Sequence, residues 1–156
     1  MLPERYLHSL PENLSLEAAT LIETLATVRH AQERVGISPG DAVAVLGQGA
    51  TGLLHTQLAR LSGASPLIVV SRSPWKLDLA RRWGADHAVN GAGGDVVSEV
   101  QRLTHEAGVD VVIESTGSPA LMRPAIDMLR PGGKLLVYGI GHGAVEGFTT
   151  FPLYYK

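Results

Sequence analysis

The chain has no cysteine among its 156 residues, so neither a disulfide nor a thiolate metal site can form. It also lacks an excess of either charge, with 13 Lys and Arg against 15 Asp and Glu and a formal net charge of −2. The basic residues are scattered rather than clustered, which argues against a nucleic-acid surface or a polybasic membrane patch. Long apolar runs are missing too: Leu67 to Val70 is strand-sized and far too short to span a bilayer. Met1 to Leu14 carries Glu4 and Glu12 without a continuous apolar stretch, so it does not read as a signal peptide. With 45% hydrophobic and 18% charged residues, the expectation is a soluble, cytoplasmic, globular protein sized for one domain.

The pattern that is present alternates. Leu16 to Val35 reads as one amphipathic helix, capped by Ser15 and stopped by Gly36, with Leu21, Leu25 and Val28 at helical spacing and Ala18, Ile22 and Ala26 widening the apolar face. Short apolar runs follow at 42–46, 66–70, 87–89, 109–113 and 134–138. Helix-length segments separate them, the second opened by Ser73 and Pro74, the third running through Val96 to Glu106 and the last from Pro119 to Leu129. Short, non-alternating strands spaced by helices predict an α/β fold, a doubly wound parallel sheet covered on both faces. No internal repeat or low-complexity segment interrupts it. Residues 1–36 form the leading segment and helix, and 37–156 the doubly wound domain proper.

Gly47-Gln48-Gly49-Ala50-Thr51-Gly52 directly follows the first apolar strand and opens a helix. In that context GxGxxG is a dinucleotide fingerprint. Gly47 permits the tight turn, Gly49 lets the backbone approach a pyrophosphate, and Gly52 lets the helix pack on the strand. The free N–H groups at the helix start supply the anion site. An NAD-binding domain places an acid about 20 residues further on, at the end of the second strand. Here Ser71 and Arg72 stand there, with Lys76 one helical turn away. A hydroxyl and a guanidinium suit a 2′-phosphate, so NADP(H) is expected over NAD. The missing acid also counts against a methyltransferase, which wants one for the ribose hydroxyls.

The runs Val45 to Gly52, Ser73 to Ala80, Gly84 to Asp86, Asp110 to Gly117 and Leu129 to Gly133 together resemble the medium-chain dehydrogenase/reductase superfamily, closest to its zinc-dependent alcohol, polyol and threonine dehydrogenase branch. The resemblance covers nearly the whole chain. It implies that Ser115, Thr116 and Gly117 line the ribose side of the cofactor and that Gly139 and Ile140 approach the nicotinamide. Ser115 and Thr116 alternatively cap the next helix. The resemblance also places Glu23 at the catalytic zinc, although Thr24 replaces the proline that often follows it. A helix-surface glutamate is the competing reading.

In that family a preceding GroES-like catalytic domain carries the other zinc ligands and the proton relay, and nothing like it stands before Leu2. The six histidines offer no HxxxH pair. His30 and His55 read as helix-surface or partly buried, and only His142, in a glycine loop, lies near the expected nicotinamide end. No GxSxG elbow occurs. Hydride chemistry belongs to the nicotinamide, but activating an alcohol needs a Lewis acid or a base. The isolated chain is therefore expected to bind cofactor without turnover, with zinc confined to a parent enzyme. A non-catalytic NADPH-binding or sensing module would look the same. The family's sixth strand, through which it dimerises, would begin near Phe151 to Lys156, so weak homo-oligomerisation with a raw fifth-strand edge is expected.

Overall fold

A computed structural model describes residues 3–146. Its centre is a five-stranded sheet of order β3-β2-β1-β4-β5, formed by β1 (Val43–Leu46), β2 (Leu67–Ser71), β3 (His87–Asn90), β4 (Val109–Glu114) and β5 (Leu129–Val137). Every strand pair is parallel. The helices are α1 (Leu16–Ala19), α2 (Ile22–Val35), α3 (Ala50–Leu61), α4 (Pro74–Arg82), α5 (Val96–Leu103) and α6 (Pro119–Asp127). None of them is long and apolar enough to cross a membrane.

The sequence pattern and the burial explain each other. Along β1, Val43 and Val45 face one core layer while Ala44 and Leu46 face the other. The first layer is closed by Leu53 and Ala59 of α3 and by Leu77 and Ala80 of α4. The second is closed by Val100 of α5 and Ala125 of α6. A strand wrapped on both faces has no solvent side, which is why these runs do not alternate. Each fully buried Val, Leu or Ile side chain contributes roughly 1.5–3 kcal/mol.

Three expected elements have different bounds. The single helix over 16–35 is interrupted at Thr20, whose hydroxyl donates to the Glu17 carbonyl at 2.6 Å. That bond competes with helical continuation. Helix α2 then reaches the core only from Val28 onward, with Val28 and Gln32 buried, and the expected apolar face at Leu21, Ile22 and Leu25 is exposed. Ser15 does cap, accepting from the Ala18 N–H at 3.1 Å, and Gly36 does stop α2, with φ at 68°. Helix α5 ends early, because the Thr104 hydroxyl donates to the Val100 carbonyl at 2.9 Å and accepts from the Gly108 N–H at 3.1 Å. β5 starts earlier than expected: Leu129 pairs with Val109, the register then shifts, and Lys134 pairs with Val111. The intervening residues are held by Arg130, which donates to Asp110 at 2.6 Å. Among the described residues β5 is one sheet edge and β3 the other, and the expected start of a sixth strand at 151–156 lies outside them.

Candidate functional site

β1 hydrogen-bonds to β2 on one side and to β4 on the other. Strand order therefore reverses at β1, and in an open α/β sheet ligands bind outside the carboxyl ends of the strands at such a point. A cleft of about 850 Å³ lies there, lined by Gly47, Gln48, Gly49, Ser71, Arg72, Lys76, Ser115 and Thr116. Residues predicted from three separate loops thus share one cavity. Ala50, Thr51 and Gly52 form the first turn of α3 behind it.

The glycine loop is built for close approach. Gly47 has φ at 91°, a conformation that other residues adopt only at a cost. A Cβ on Gly52 would collide with the Gly47 carbonyl oxygen, so α3 packs on the loop only with glycine there. A Cβ on Gly49 would meet nothing within 4 Å, which means the space above that backbone is open to a ligand. No side chain caps α3, so its first N–H groups have no helical partner and point their partial positive charge at that space. A pyrophosphate fits this cradle.

The Gln48 side chain has a different task from its backbone. It is buried, and its Oε1 accepts from the Thr56 hydroxyl at 3.1 Å, locking the loop onto α3. At the β2 end, the Ser71 Oγ accepts from the Ser73 N–H at 3.2 Å. Arg72 is exposed and Lys76 lies over the Trp75 ring at 5.4 Å. The ion pairs among the described residues engage Arg29, Arg60, Arg81, Arg102, Arg123 and Arg130, and neither of these two cations. Two positive charges outside these ion pairs therefore line one end of the cleft.

The β4 loop is organised by Glu114, a fully buried carboxylate to which sequence pattern alone assigns no role. It accepts from the Thr116 N–H at 2.8 Å and the Gly117 N–H at 3.0 Å, and from the Thr116 hydroxyl. The Ser115 hydroxyl donates to the Leu46 carbonyl at 2.8 Å. Thr116 also accepts from the Ser118 N–H at 3.0 Å, closing a turn just before α6, whose own first N–H groups no side chain caps. Gly91, Gly94 and Val96 after β3 and Ala120 and Leu121 of α6 complete the lining. Their only sequence signal is position, just beyond the carboxyl ends of β3 and β4.

Gly117, Gly139 and Ile140 do not line the cleft. They pack beside it: a Cβ on Gly139 would strike the Gly117 backbone, and Ile140 is 88% exposed. His30 and His142 are exposed. His55 is completely buried between α2 and α3, more deeply than expected. Its Nδ1 lies 3.1 Å from Gln32 Nε2, which also donates to the His55 carbonyl at 2.8 Å. Burial lowers the His55 pKa from 6.5 to about 4, so the ring is neutral near pH 7.

Glu23 is exposed and accepts from the Thr24 hydroxyl at 3.4 Å. Among the described residues no group of three or more His, Asp or Glu could hold a metal. One carboxylate does not make a zinc site.

Sheet order, loop and cleft define the class: a Rossmann-type α/β domain with a nucleotide-binding architecture. The model of the family described as zinc-binding dehydrogenase matches residues 50–156, and the chain belongs to that family, as its cofactor-binding domain. It is 37% identical over 131 residues to a sorbitol dehydrogenase from Bacillus subtilis, covering 84% of this chain and 37% of that one. It is 32% identical to D-xylulose reductase A of Aspergillus niger, covering 98% and 43% respectively. Among solved structures it superposes with a TM-score of 0.87 and 33% identity on a protein from Sinorhizobium meliloti 1021 described as a zinc-binding dehydrogenase and bound to NADP, covering 94% of this chain and 44% of that one. The chain thus spans less than half the length of these relatives.

Proposed function

We propose that this chain binds NADP(H) and positions its nicotinamide for hydride transfer in a zinc-type dehydrogenase acting on an alcohol or polyol. The observation that carries the reading is the β2 end. Where an NAD-binding domain holds an acid for the ribose hydroxyls, this cleft holds Ser71, Arg72 and Lys76, with both cations free of ion pairs. A planar guanidinium matches a 2′-phosphate through paired donors. The pyrophosphate lies over Gly49 on the α3 N-terminus, with Gly47, Gln48, Ala50, Thr51 and Gly52 shaping that turn. Ser115 and Thr116 meet the ribose on the nicotinamide side from the cleft wall, with Gly117 behind them, and Gly139 and Ile140, beside the cleft, border the place of the ring.

The bound cofactor supplies hydride chemistry, and the described residues supply binding and orientation. None of them forms a site for activating an alcohol, so cofactor binding without turnover is expected of this chain alone. In this reading the activating groups and the zinc, with Glu23 beside it, belong to a second domain that covers the exposed Leu21, Ile22 and Leu25.

The test is a titration with NADPH and NADH at fixed low salt, following Trp75 fluorescence. A hydrogen bond to a charged group is worth about 1.5–3 kcal/mol, so NADPH should bind roughly 10- to 150-fold tighter. Arg72→Ala should abolish most of that preference. Equal affinities for both cofactors in the wild type would overturn the NADP(H) assignment while leaving a dinucleotide site.

A further inference from the structure

We propose that Tyr138, held by Thr27 and His55, is a positioning residue that sets the loop after β5 against the end of the cleft remote from Arg72, and so governs binding of the nicotinamide half of the dinucleotide. This rests on the dinucleotide reading above. Three observations build it.

The first is a hydrogen-bond count. Thr27 Oγ1 donates to the Thr24 carbonyl at 2.9 Å, which uses its only proton. Its 2.9 Å contact with the Tyr138 hydroxyl is therefore donated by Tyr138. The second is ring packing. The His55 and Tyr138 rings meet edge to face, with centroids 4.6 Å apart and planes at 83°. Gln32 Nε2 must be the donor to the His55 carbonyl, so His55 Nδ1 is an acceptor from the same amide and the ring proton sits on Nε2. Tyr138 is thereby fixed from two helices, α2 through Thr27 and α3 through His55.

The third is where that fixation leads. The Tyr138 and Gly139 N–H groups both donate to the Glu114 carbonyl at 2.9 Å, joining the β5 end to the β4 end. Gly139 and Gly141 then pack backbone to backbone on Gly117, leaving no room for a Cβ at any of the three. Gly117 and Thr116 are held by the Glu114 carboxylate, and Thr116 packs on Gly47. A contiguous chain of contacts thus runs from α2 to the cleft wall. It enters on the β4–β5 side, opposite the β2 end that holds Arg72 and Lys76. A dinucleotide lying across the switch point with its 2′-phosphate at Arg72 places its other half on this side.

The experiment compares a whole ligand with a half ligand, NADPH with 2′,5′-ADP and NADH with ADP, by calorimetry on wild type, Tyr138→Phe and Thr27→Val. Tyr138→Phe keeps the ring against His55 and removes one hydrogen bond, and Thr27→Val removes its acceptor. Each variant should weaken the dinucleotide roughly 3- to 10-fold and leave the half ligand within about twofold. Parallel weakening of whole and half ligands would show general loosening and overturn the proposal. So would unchanged affinities in both variants, or a wild type that binds whole and half ligands equally. A wild type that binds none of the four would overturn the dinucleotide reading itself.

Discussion

Acid should act on this fold first through His55. The ring is fully buried and burial lowers its pKa from 6.5 to about 4, so the folded state resists a proton that the unfolded chain accepts. Because the folded value is the lower one, the stabilisation is complete above about pH 6.5 and is lost as pH falls toward 4. At 1.36 kcal/mol per pKa unit the whole gap is worth roughly 3 kcal/mol, most of it gone by about pH 4.5. Carboxylates act in a lower window. Partial burial of Asp110 opposes its ionisation, but the Ala42 N–H and the Arg130 guanidinium outweigh that and hold its pKa low. Asp95 is likewise held low, by the Ser98 hydroxyl first and then the Ser98 and Val97 N–H groups, with desolvation opposing them. Stability from these two, and from Glu99, held low first by the hydrogen bond from Arg102, is lost as pH falls from the ordinary carboxylate value toward the lowered ones. Urea unfolding between about pH 7.5 and 4.5 should therefore show a fall of roughly 2–3 kcal/mol that is absent in His55→Leu. That variant frees the Gln32 N–H that faced Nδ1 and removes an Nε2–H that has no hydrogen-bond partner among the described residues, while the other Gln32 N–H keeps its backbone acceptor at 2.8 Å. Parallel losses in wild type and variant over this window would refute the argument.

Gly52→Ala should destabilise the chain by about 1–3 kcal/mol or more, since the added Cβ meets the Gly47 carbonyl oxygen; thermal melting and NADPH titration should both fall. A variant that melts like the wild type would show that the loop yields easily. Glu114→Gln leaves the amide nitrogen facing N–H donors where the carboxylate accepted three. A loss of about 1–3 kcal/mol in urea unfolding is expected, with weaker binding of NADPH; unchanged unfolding would remove Glu114 as the organiser of that loop.

Most of the fold is legible in the sequence, because strands buried on both faces leave a simple signature. Val43 to Leu46 and Leu67 to Val70 read as core strands since neither face of the sheet meets water. The glycine loop is legible for the same kind of reason: its residue types answer a backbone constraint that Gly47 and Gly52 show directly. Helix boundaries are less visible, because the hydroxyls of Thr20 and Thr104 end turns by bonding carbonyls nearby, and nothing in the apolar period records that. The burial of His55 and Glu114 depends on neighbours distant in sequence, Tyr138 for the one and the paired strand residues Leu46 and Val137 for the other. Gln48 is a divided case: its backbone belongs to the cleft, while its side chain turns inward to Thr56. A motif names the residue and cannot say which part of it serves.

The central claim is that the carboxyl ends of β1, β2 and β4 form a dinucleotide site. The most direct measurement is amide NMR of the labelled chain titrated with NADPH. The account predicts shifts concentrated at Gly47 to Gly52, Ser71 to Lys76 and Ser115 to Gly117, saturating together. A groove of about 360 Å³ between the C-terminal ends of α2 and α3, lined by Arg29, Ile37 and Leu61, serves as the internal comparison. Saturable shifts there, with the glycine loop unmoved, would contradict the account.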